Sequence, residues 1–114
     1  HALASALDIN VPVFVSHSEA VLIETSPEVP VSDVRDWLDG FSRVSVVDNP
    51  DAGLYPTPLE AAGTDSVLVG RIRRDLSSPR GLWLWVVADN LRTGAATNAV
   101  RIAEHLHAGG VWNA

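Results

Sequence analysis

The stretch "GLWLWVVADN", residues 81–90, alternates two apolar sets. Leu82, Leu84 and Val86 fall on one side of an extended chain, Trp83, Trp85 and Val87 on the other. A strand apolar on both faces of an antiparallel sheet needs cover twice: one side on its own core, the other against a helix layer or another subunit.

Working outward, "DSVLVGRIRRD" (65–75) reads as the preceding strand, joined to 81–90 by the turn "LSSPRG". Before it, "NPDAGLYPTPLEAAG" (49–63) holds three prolines and two glycines and is expected to cross the surface as a long irregular connection. "RVSVVD" (43–48) is a strand by β-branching. In "VSDVRDWLDGF" (31–41), Val34, Trp37, Leu38 and Phe41 share one helical face, Ser32 is the expected N-cap and Gly40 marks the end. "SEAVLIETS" (18–26) reads as a strand, as does "DINVPVFVS" (8–16), where Pro12 suits an edge or first-residue position. Downstream, "TGAATNAVRIAEHLHAG" (93–109) repeats its apolar residues at helical spacing and closes on Gly109.

Strands that arrive as neighbours, rather than alternating singly with helices, place the chain in the α+β class, with a mainly antiparallel sheet and helices on one face. The expected organisation is one domain over residues 10–108, between an N-terminal tail or cloning remnant (1–9) and a C-terminal tail (109–114). His1 is not a start residue, so the front is expected to be processed or trimmed.

Composition narrows the function classes. Eight basic residues, all arginine, against fourteen acidic give a net charge of −6, which argues against a phosphate-backbone partner and so against nucleic acid. No apolar run approaches the roughly 20 residues of a membrane span, so the reading is soluble, with no membrane partner. With no cysteine, this chain has no disulfide, thiolate metal site or thiol nucleophile. His105 and His107 lie two apart on a helix rather than four, and no metal site is expected. Between two hydrophobic runs stand Ser16, His17 and Ser18. Imidazole titrates near neutrality and is the side chain best suited to moving a proton there. Arg71, Arg73 and Arg74 read equally as a solvated strand face or as partners for an anionic group.

Four stretches, "VPVFVSHSEAV", "YPTPLEAAG", "VGRIRRD" and "VVADNLRTGAATNAVRIAE", occur in an order that resembles the C-terminal portion of the aspartate-semialdehyde dehydrogenases, within their dimerisation domain. The resemblance covers roughly residues 10–106 and implies the fold of the C-terminal domain of glyceraldehyde-3-phosphate dehydrogenase-like enzymes. It implies an NADP-dependent oxidoreductase of lysine, threonine and methionine biosynthesis, cytoplasmic, assembled as a dimer or tetramer. In such enzymes aspartyl phosphate is reduced through a thioester on a cysteine. The family's acid/base histidine maps onto His17, and the residue approaching the nicotinamide maps onto Asn90. Asn10, Ser16 and Ser18 are the positions expected to meet substrate.

Three positions depart from the family pattern. Asn10 stands where an arginine usually grips the substrate carboxylate, Ser16 where a glycine usually precedes the histidine, and Thr93 where a basic residue is common. The cysteine and a glycine-rich dinucleotide-binding turn are expected on a partner segment, so the chain alone is expected to be inactive and to hold no NADP tightly. Two other readings stay open: a non-redox binding or scaffold module, and an enzyme in which His17 serves another small molecule.

Overall fold

The computed structural model describes residues 2–8 and 12–110. Five strands form one sheet in the order β1-β2-β5-β4-β3: β1 (Ala2–Asp8), β2 (His17–Thr25), β3 (Val44–Val46), β4 (Val67–Arg74) and β5 (Gly81–Ala88). Pairings β1–β2, β2–β5 and β4–β5 are antiparallel, and β3–β4 is parallel. The sheet is therefore mixed, because α1 (Val31–Asp39) carries the chain across one face and returns it to the far edge in the direction of β4.

Residues 2–8, expected as a tail, are the edge strand β1, paired with β2 from Ala2↔Thr25 to Asp8↔Glu19. The strand expected at 8–16 is displaced accordingly: residues 12–16 bend without strand pairing. Pro12 lacks an N–H to donate, and Pro12, Val13 and Phe14 are exposed.

The alternation of residues 82–87 sorts the core. Leu84 joins Val69 and Ile72 on one face, where Val31, Val34 and Leu38 of α1 pack against them with Ile23, Val44 and Val46. The core-facing stripe of α1 is thus Val31, Val34 and Leu38, each half-buried, whereas Trp37 and Phe41 are 60% and 69% exposed. The helix begins two residues earlier than Ser32 suggests, with Pro30 at the N-cap. The Ser32 hydroxyl instead donates to Asp33.

On the other face Val87 and Leu68 enclose Ala61, with Val47 and Trp85 against them. Ala61 belongs to α2 (Pro58–Ala61), a single helical turn inside the stretch expected to be irregular. The Thr57 hydroxyl accepts from the Glu60 amide while the Glu60 carboxylate accepts from the Thr57 amide, and Pro58 supplies a pre-set φ at the first helical position. Gly70 is required by packing, since a Cβ there would run into the Val47 carbonyl and the Pro56 ring. The last helix, α3 (Ala95–Ala108), buries none of its residues; Gly109 caps it as expected.

Candidate functional site

His17 opens β2 opposite Ala88. Its register puts it on the α1 side of the sheet with Glu19, and the ring Nε2 lies 3.0 Å from Glu19 Oε1. Both side chains are 41% exposed, so the imidazole is held by a carboxylate yet open to a reactant. A carboxylate on one ring nitrogen fixes the ring's orientation, which is what a group that must hand a proton to a particular atom needs.

Three elements converge on the residue before it. Ser16 has φ +89°, in the left-handed region that glycine adopts freely and serine does not. Its amide donates to Asn90 Oδ1 at 3.0 Å and its hydroxyl donates to the Pro58 carbonyl at 2.9 Å. Asn90 follows directly on Asp89, whose buried carboxylate accepts from the Gly63 amide at 2.7 Å and the Leu91 amide at 2.9 Å. These bonds close a ring from α2 to Ser16, to the end of β5, and back through Gly63 to the segment after α2. The Gly63 amide is the main reason that the Asp89 carboxyl lies below its usual pKa; burial opposes it, and the Leu91 and Arg92 amides add to it. Arg92 also donates to Asp65 at 2.8 Å, which lowers the Asp65 pKa by hydrogen bond and charge.

The structure therefore brings His17, Ser16 and Asn90 together. It does not bring Ser18 with them: Ser18 pairs with Val87, faces the opposite side of the sheet and is 7% exposed. Strand alternation makes this unavoidable, since residues 17 and 18 cannot share a face. Asn10 lies outside the described residues. Glu19 was missed as a site residue; its i+2 spacing from His17 on a strand was the available signal. Among the described residues no three His, Asp or Glu side chains group as metal ligands. No helix among them is long and apolar enough to cross a membrane.

A groove lies on the face away from His17. It encloses about 380 Å³ between Tyr55, Pro56 and Pro58 on one wall and Trp83, Trp85 and Ala20 on the sheet. The Trp85 indole donates to the Pro56 carbonyl at 3.1 Å. Arg71 lies over the Tyr55 ring and Arg73 over the Trp83 ring, each 5.8 Å from the centroid. Both arginines are aimed here by a bulge in β4, where three steps from Gly70 to Arg73 match two from Trp85 to Trp83.

Comparison with known proteins finds relatives over most of the chain. The aspartate-semialdehyde dehydrogenase of Aquifex aeolicus is 50% identical over 102 residues, 90% of this chain and 30% of that protein. The Legionella pneumophila enzyme is 52% identical over 99 residues, 86% and 28% respectively. The chain thus spans less than a third of these relatives. The crystal structure of aspartate semialdehyde dehydrogenase II from Vibrio cholerae, complexed with ASA, superimposes with a TM-score of 0.73 at 48% identity, over 84% of this chain and 28% of that one. That of Candida albicans with NADP gives 0.66 at 29% identity, over 89% and 32%. The family model described as "Semialdehyde dehydrogenase, dimerisation domain" matches residues 2–93, which takes in β1 through the Asp89–Thr93 turn, and the chain belongs to that family.

Proposed function

We propose that this chain is the part of an aspartate-semialdehyde dehydrogenase that supplies the acid/base imidazole and the subunit interface. The observation that carries the reading is the seat of His17: half-exposed at the end of a central strand, held by Glu19, with Asn90 anchored to its neighbouring residue. The substrate is an aspartyl phosphate and the nucleophile a cysteine on another segment. His17 takes the thiol proton as sulfur attacks the acyl carbon and phosphate leaves. It returns that proton to sulfur as the reduced hemithioacetal collapses to the aldehyde.

NADPH supplies the hydride when bound. The residues present fit one end of it only. Asn90 Oδ1 is taken by Ser16, which leaves the amide NH₂ to donate toward a nicotinamide carboxamide, while this chain has no glycine-rich turn to hold the dinucleotide phosphates. The enzyme works as a homodimer, and the groove face bearing Tyr55, Trp83 and Trp85 is the surface that a second copy covers: apolar and aromatic at the centre, arginine at its margin. Such a biosynthetic enzyme is placed in the cytoplasm.

Replacing the matching segment of the Legionella pneumophila relative with this chain tests the reading. The chimera is expected to oxidise NADPH in the presence of aspartyl phosphate, whereas the chain alone does not. A folded, dimeric chimera without turnover contradicts it.

A further inference from the structure

We infer that Asn90 is a positioning residue for His17, acting as a latch whose side-chain carbonyl holds the Ser16 amide and thereby fixes the backbone from which the imidazole departs. Its catalytic meaning rests on the reading of His17 as the acid/base, but the latch is a property of this chain by itself. A serine at φ +89° is strained, because its Cβ crowds the backbone. Such a conformation persists only where its surroundings over-determine it, and here two bonds do so: the amide to Asn90 and the hydroxyl to Pro58.

The latch is itself rigid. Asn90 sits between the last paired residues of β5 and a turn in which the Arg92 and Thr93 amides donate to the Asp89 carbonyl at 3.1 and 2.7 Å. Gly94 closes that turn against the Asn90 carbonyl, where a Cβ would collide. Its register then matters for direction: His17 pairs with Ala88, two residues before Asn90, so the latch closes beside the first rung of the β2–β5 ladder. The chain reaches this point through exposed residues 12–14. Loss of the acceptor lets residue 16 relax to negative φ and redirects His17 without disturbing the sheet.

Amide hydrogen exchange and imidazole resonances, read by NMR on the 114-residue chain, test this. Asn90→Ala is expected to speed exchange of the Ser16 amide by roughly 5- to 10-fold, the loss of one hydrogen bond, and to shift the His17 ring signals. The Val21 and Leu84 amides, deep in the β2–β5 ladder, stay as they were. Asn90→Asp keeps a carbonyl-type acceptor and is expected to keep the Ser16 amide protected. Adding Ser16→Gly to Asn90→Ala removes the steric penalty and is expected to return the His17 signals toward their original positions. Unchanged Ser16 exchange in Asn90→Ala overturns the latch, as does an unprotected Ser16 amide in Asn90→Asp. The latter comparison stands even where the alanine variant does not fold. None of these readouts needs turnover, so an inactive chimera leaves the latch standing and a failed latch leaves the dehydrogenase reading standing.

Discussion

Arg35 of α1 donates from Nη2 to Asp48 Oδ2 at 2.6 Å, and the Asp48 side chain is 1% exposed. The same carboxylate accepts the Arg71 amide at 2.8 Å and the Ile72 amide at 3.1 Å, the two residues of the β4 bulge. Arg71 has φ +53° there, so Asp48 pins a strained turn of the strand to the helix that covers it. Replacing it leaves the guanidinium and the Arg71 and Ile72 amides without this acceptor. Asp48→Ala is expected to cost about 3 kcal/mol in urea unfolding, and Asp48→Asn less, because one acceptor oxygen survives. A loss below about 1 kcal/mol for the alanine variant would show the clamp to be idle.

On the groove face, Trp83 lies beneath Arg73 and beside Tyr55 and Trp85, at the centre of the surface assigned to a second copy. Aromatic residues at an interface centre carry a large share of association energy. Trp83→Ala is therefore expected to raise the dimer dissociation constant by roughly 30-fold or more in sedimentation equilibrium, with the far-ultraviolet spectrum unchanged. A wild-type chain that stays monomeric at high concentration would remove this face from the interface.

Acid stability follows from Asp89. Its folded pKa is depressed, chiefly by the Gly63 amide, so its stabilising contribution is complete above the usual aspartate pKa. As pH falls through about 4 the unfolded chain takes up the proton first, and the contribution shrinks until the folded pKa is passed. Asp65 acts in the same direction through Arg92, but both side chains are half-exposed and solvent weakens the pair. Asp89→Asn is expected to lower stability at neutral pH and to flatten its decline below about pH 5, as followed by urea midpoints. A parallel decline in both proteins would assign the acid sensitivity to other groups.

The turn α2 supplies the Pro58 carbonyl to Ser16 and is held by its own cap. Thr57→Ala removes the hydroxyl that accepts the Glu60 amide and is expected to cost about 1 kcal/mol. Because α2 packs Ala61 against Val87, the same variant should also speed Gly63 amide exchange, and equal exchange would separate the cap from the site.

Much of this fold was legible in the sequence where pattern and burial coincide. The alternation of residues 82–87 named both faces of β5, and helical spacing found α1 and α3. The stripe of α1 was misplaced by Trp37 and Phe41, whose hydrophobicity does not reveal that they face solvent in this chain. Strand β1 was hidden because "ALASALD" is rich in alanine and serine, weak strand formers that β2 recruits by pairing along their whole length. The turn α2 carried a readable sign, Thr57 followed three residues later by Glu60, masked by the prolines around it. At the site, His17 was visible from residue type and motif. The bond from Ser16 to Asn90 was not: it spans 74 residues and depends on a positive φ that a serine does not announce.

The central claim is that His17 carries the proton in an aspartate-semialdehyde dehydrogenase. In the chimera with the Legionella pneumophila relative, kcat for NADPH-dependent reduction of aspartyl phosphate is expected to fall on the order of 10²-fold or more in His17→Ala, with KM little changed. A kcat within about twofold of the parent, in a variant that folds and dimerises normally, would contradict it.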